Sequence, residues 1–108
     1  MAKIAVYNLS ERELKDTEKI DVIARVVIRA ILSIPRIELK KEDISFTFPR
    51  DFTGKSEEVS VVITEASFFR EKVNSQIRQV LCRRVIEALQ PVLRREARNI
   101  SVEIKRPK

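Results

Sequence analysis

Few groups in this chain could move a proton near neutral pH, because its 108 residues include no histidine. The usual physiological-pH base is missing. A carboxylate, a perturbed lysine or the terminal amine must take its place, and the amine has an ordinary pKa of roughly 7.7 that suits acid–base work. Ala2 is small enough for Met1 to be removed from in front of it, and the first strand pattern starts almost at once. An amine fixed at a strand start is a candidate proton shuttle; the plainer reading is an inert terminus. Among the acids, Glu65 ends a strongly apolar run just before Phe68 and Phe69, and Asp51 lies near the end of the second strand pattern. Strand-end acids are as a rule solvated, so each is a candidate only.

Other chemistries are narrowed by what the chain lacks. Glycine occurs once, at Gly54, whereas phosphate-cradling loops need several glycines for close backbone approach. Cys82 is the one cysteine; it has neither a disulfide partner nor a histidine to activate it, and its neighbours Val80, Leu81 and Val85 suggest a small buried hydrophobe. Zinc would lack its usual ligands, and no metal or cofactor is implied. No apolar run approaches the roughly 20 residues of a membrane helix, and the N-terminus carries no signal-like apolar region, so a cytoplasmic protein without membrane attachment is expected.

The net charge of +6 is uneven: residues 1–67 hold 11 basic and 12 acidic side chains, residues 68–108 hold 11 and 4. Arg70, Lys72, Arg78, Arg83, Arg84, Arg94, Arg95 and Arg98 could follow the phosphates of RNA, DNA or another polyanion. They could also hold a small anion, or form an ordinary solvated basic face. By helical spacing Arg83 and Arg94 share a side, while Arg84 lies at the core-facing edge. Aromatic interleaving is weak. Phe46 and Phe48 read as core, and adjacent Phe68 and Phe69 cannot both point inward, leaving one for stacking or for an interface.

These groups must be positioned by a small set of elements. KIAVYNL reads as a strand with no clearly polar face. Ser10 and Glu13 have capping-box spacing, and Asp16 or Thr17 offers a second helix start. From Ile20 to Ile34 the chain reads as one helix with a core face of Ile20, Ile23, Ala24, Val27, Ile31 and Ile34. Val22, Val26, Ile28 and Leu32 fall outside that face, and only Asp21, Arg25 and Arg29 form a wet stripe. Such a helix needs a second apolar neighbour, either the other long helix or another subunit. Pro35 closes it. DISFTFPR alternates as a half-buried strand, and VSVVITEA forms another, antiparallel to it. A second helix runs from about Lys72 to Arg95, with Pro91 expected to kink or restart it. ISVEIK is the last strand.

The order β-α-β-β-α-β over a single domain of residues 1–108 predicts a two-layer α/β sandwich: a four-stranded mixed sheet with two helices on one face. Two arrangements fit, the ferredoxin-like split βαβ and the tautomerase type. The opening MAKIAVYNLSER, the run VSVVITEA followed by a helix, and the closing NISVEIKRP resemble the tautomerase superfamily, particularly its longer branch with carboxymethyl-hydroxymuconate isomerase and macrophage migration inhibitory factor. The resemblance covers most of the chain and rests on plan and pattern. It implies a homotrimer whose sheets surround a central channel. It also implies a keto–enol tautomerase whose acid–base residue is an N-terminal proline, a position held here by Ala2, which offers a primary amine with less fixed geometry. Arg12 stands near the place of a substrate-carboxylate-binding arginine. A tautomerase-like protein that is weakly active or non-catalytic follows, with a small anionic carboxylate as its ligand.

Overall fold

A computed structural model describes residues 2–49 and 58–108 of the chain. Four strands, β1 (Ala2–Tyr7), β2 (Ile44–Thr47), β3 (Val59–Thr64) and β4 (Ile100–Lys105), alternate with a short helix α1 (Glu11–Lys15) and two long ones, α2 (Thr17–Leu32) and α3 (Ser75–Leu93). The sheet order is β2-β1-β3-β4. β1 runs parallel to β2 and antiparallel to β3, and β3 runs parallel to β4. β2 and β3 therefore do oppose each other in direction, but β1 lies between them and they form no hairpin. The expected β-α-β-β-α-β sandwich is the observed one.

Period-two patterning decides which face of the sheet is covered. Ile4 and Val6 of β1 and Val59, Val61 and Ile63 of β3 are buried beneath the helices. Their alternates Lys3, Ala5, Tyr7, Ser60, Val62 and Thr64 are exposed or half-buried on the other side. Both helices thus share one face, and the far face is mixed, with small and β-branched residues beside Lys3 and the exposed ring of Tyr7.

Local signals set the helix starts. Asn8 takes a left-handed conformation with φ 69° as the chain leaves β1, which asparagine tolerates better than most residues. Ser10 Oγ then accepts from the Glu13 N–H at 3.1 Å, and Glu13 Oε1 accepts from the Ser10 N–H at 2.9 Å. This is the complete capping box that the spacing predicts. Asp16 ends α1 and caps α2, accepting from the Lys19 N–H at 3.1 Å.

α2 buries Ile23, Val27, Ala30 and Ile31, while Asp21, Arg25 and Arg29 are exposed as the sequence requires. Ile20 and Ala24, expected in the core face, are only half-buried. The helix ends at Leu32, three residues before Pro35. α3 begins at Ser75 with Asn74 as its cap, so Val73 is buried ahead of the helix rather than on it. It runs through Pro91 without a restart and stops at Leu93. Pro91 is exposed and lies in the last turn, so the carbonyl it leaves without a helical partner belongs to exposed Glu87, which water can reach. The two long helices pack side by side, and Arg84 joins them by donating to the Ser33 carbonyl at 3.1 Å and to Ser33 Oγ at 2.8 Å.

Candidate functional site

The strand directions bring the starts of β1 and β2 and the ends of β3 and β4 to one end of the sheet. Ala2 sits there at 0% exposure, opposite Ile44 of β2, and its carbonyl accepts from Ser45 Oγ at 3.5 Å. Lys3 is opposite Thr64 in the antiparallel ladder, so the next step of that register sets Ala2 beside Glu65. Glu65 is itself buried; its N–H donates to the Lys105 carbonyl at 3.2 Å, and Oε1 accepts from the Ser67 N–H at 3.2 Å. Of the strand-end acids, this one is not solvated. Asp51 and Gly54 lie outside the described residues.

Glu65 caps a single 3-10 turn, Ala66–Phe69, which resolves the paired phenylalanines. Phe68 enters the core with no exposure, while Phe69 is half-buried with the guanidinium carbons of Arg78 and Arg106 4.8 and 4.9 Å from its ring centre. Arg78 is fixed by donating to the carbonyls of Phe68 and Val73, each at 3.0 Å. Phe69, Ser67, Arg70 and Arg36 line a cavity of about 510 Å³ at this end. Here, then, are a buried strand start, a buried carboxylate and a cavity rimmed by charges of both signs, Arg36, Arg70 and Lys72 with Glu38 and Glu71. Nothing in the sequence announced the Arg78–Phe69–Arg106 stack beyond the impossibility of burying both phenylalanines.

Arg12 is elsewhere. It is exposed on α1, beyond the far end of β1, and six residues of strand already span about 16 Å. It lines a cavity of about 670 Å³ with Asp16, Lys19, Val22, Pro91 and Arg94. One copy of the chain does not bring Ala2 and Arg12 together.

Beside Arg12 stands the second buried acid, Glu13. Arg95 donates to it through both ends of its guanidinium, Nη1 to Oε2 at 2.9 Å and Nη2 to Oε1 at 2.8 Å, and Lys19 Nζ lies 3.4 Å from Oε2. Burial by itself would raise this carboxyl, but hydrogen bonds from Arg95 and Ser10, with the Arg95 charge, outweigh it and hold the pKa at about 2 from an ordinary 4.5. Arg95 is pushed up in return, mainly by the same hydrogen bond.

The basic residues in and around α3 divide among separate tasks. Arg78, Arg84 and Arg95 are tied to protein acceptors, and Arg98 and Lys72 pair with Glu96 and Glu38. Arg83 lines a cavity between α3 and β4, whereas Arg94 lines the one beside Arg12. The expected shared side fails because Arg94 has left the helix, with φ 55°. These arginines do not form a continuous phosphate track. Cys82 is half-buried, not fully buried as its neighbours suggested, and burial pushes its thiol up. Among the described residues no group of three or more histidine, cysteine or carboxylate side chains could hold a metal, and no helix is long and apolar enough to cross a membrane.

The fold thus consists of two β-α-β halves with their helices on one face of the sheet, the first strand starting at a buried end. Solved structures of this kind superpose on nearly the whole chain. A wild-type fused 4-OT, an asymmetric trimer, matches with a TM-score of 0.75 at 14% identity, covering 97% of this chain and 85% of its own. A member of the cis-3-chloroacrylic acid dehalogenase family matches at 0.72 and 14%, over 97% and 74%. Macrophage migration inhibitory factor from Oncomelania hupensis matches at 0.64 and 12%, over 99% and 74%. Likeness at this level of identity establishes the fold. No protein-family model and no curated protein matches the sequence.

Proposed function

We propose that this chain is a tautomerase-like protein that works as a homotrimer and catalyses slow keto–enol proton transfer on a small carboxylate. The amine of Ala2, once Met1 is removed, is the proton carrier. The observation that carries this reading is the burial of Ala2 at the sheet end, one residue beyond the last β1–β3 pair, Lys3–Thr64, which buried Glu65 directly follows. An amine at that position is oriented by a strand on each side and has a carboxylate for a neighbour, which is what proton transfer asks of geometry. Alanine supplies a primary amine where the resemblance implies a proline, and its looser geometry accounts for a low rate.

Arg12 lies too far from Ala2 to serve the same copy, so it anchors the substrate carboxylate only when a neighbouring copy presents it. Self-association is thus part of the chemistry in this reading; the fused 4-OT structures are themselves trimers. Three measurements test the proposal. The mature mass should show the loss of methionine, and the assembly should weigh three times the 12.6 kDa chain. Proton exchange into phenylpyruvate should be faster with the native protein than with protein acetylated at its N-terminus, and Arg12→Ala should raise KM. Equal rates before and after acetylation would remove the enzyme from the proposal.

A further inference from the structure

α2 carries more apolar surface than the sheet and α3 together cover. Ile23, Val27, Ala30 and Ile31 face the core, and Val22 lines the cleft shared with Pro91 and Val92. On the other flank Ala24, Ile28 and Leu32 recur at four-residue spacing, a single row along the helix. Ala24 and Ile28 are half-buried, and Leu32 is 40% exposed, one of two large hydrophobic side chains so open among the described residues. The row floors a cavity of about 610 Å³ rimmed by Arg25, Arg29 and Lys41, against one acid, Asp21. None of these four charged groups forms an ion pair among the described residues.

We infer that this flank is a docking groove for an acidic amphipathic helix of a partner protein. The row is straight and eight residues from end to end, about 12 Å, which matches anchors spaced by four residues on a second helix. Its rim has three cations to one anion, so glutamates flanking those anchors would meet unpaired guanidinium and ammonium groups. A second copy of this chain would bring the same excess of positive charge to the groove and is opposed for that reason. A bilayer would meet an apolar strip only one residue wide. The inference stands apart from the proposed tautomerase chemistry, because it uses the surface of α2 away from Ala2.

The test uses the full chain and a fluorescent helical peptide with leucines at four-residue spacing between glutamates, read by anisotropy. Saturable binding is expected, weakening about tenfold in Leu32→Ser and about tenfold in the double variant R25E/R29E. The same peptide with lysines for glutamates should not bind. Leu32 is already exposed, so its serine variant keeps the fold, as its melting curve will show; if R25E/R29E does not fold, K41E takes its place. Absence of binding at low salt would overturn the inference, as would binding unchanged in Leu32→Ser. Two further results would overturn it: a halving of the protein's own mass in Leu32→Ser, which gives the groove to a second copy, or binding to phosphatidylserine vesicles that the peptide does not compete for.

Discussion

Glu13 and Glu65 are the same residue type, each about nine-tenths buried, at opposite ends of one sheet. Their surroundings give them different work. Glu13 accepts a two-pronged guanidinium from 82 residues away as well as a backbone N–H, with a lysine close by. A carboxylate so enclosed joins α1 to the chain after α3 and has no geometry left for a substrate. Glu65 accepts from a backbone N–H two residues on and stands in register with Ala2. Burial of an acid is therefore not by itself a sign of chemistry here; what distinguishes the two ends is that Glu13 is locked by a two-pronged guanidinium while Glu65 lies at the end of the sheet where β1 starts.

The comparison is broken most directly at Arg95. Arg95→Ala should destabilise the fold by about 3 kcal/mol, because buried Glu13 loses its two-pronged partner and keeps only Lys19, 3.4 Å from Oε2. For a chain of this size that lowers the thermal midpoint by 10 °C or more, about 4–8 °C for each kcal/mol. A shift under about 2 °C in thermal unfolding would mean that water already screens the pair. Acid should act next. The Glu13 carboxyl is lowered in the fold to about 2 from 4.5, so its contribution is fully present above pH 4.5 and is lost as pH falls towards 2. The loss is at most about 3 kcal/mol. Unfolding curves across that window should be steep for the native protein and shallower for Arg95→Ala; equal slopes would assign the acid sensitivity to other carboxylates.

The sequence carried one half of the Glu13 story and almost nothing of the Glu65 one. Capping is a three-residue relation, so Ser10 and Glu13 were legible from spacing. The Arg95 partner was not, because pairing across 82 residues depends on how α1 and the end of α3 meet in space. Strand alternation likewise set Val61 and Ile63 on one side of their strand, but the first strand showed no clearly polar face, so the burial of Ile4 and Val6 was not legible in it. It could not place β1 between β2 and β3, since alternation tells a strand which face to bury and not which neighbour to take. The polar stripe of α2 was read correctly at Asp21, Arg25 and Arg29. The shared side of Arg83 and Arg94 was not, because helical spacing stops counting where Arg94 turns left-handed. Ala2 is a candidate from its place at a strand start and Arg12 from resemblance, and only strand geometry reveals that they stand at opposite ends.

The smallest expected stability change gives the sharpest contrast. Glu65→Gln keeps an oxygen to accept from the Ser67 N–H, so it should cost less than the same change at Glu13. Glu13→Gln turns an amide N–H₂ toward Arg95 or Ser10 and should cost about 2–3 kcal/mol. In proton exchange on phenylpyruvate the order should reverse. Glu65→Gln loses the carboxylate near Ala2 and should slow exchange about a hundredfold, at the lower margin of what a positioned acid or base contributes. Glu13→Gln, assayed well below its melting point, should keep the native rate. If Glu65→Gln unfolds the protein as severely as Glu13→Gln does, both acids are structural and the Ala2 end loses its special standing. If it is stable and exchange is unaffected, the carboxylate takes no part in the reaction, and Ala2 alone must carry the proposal.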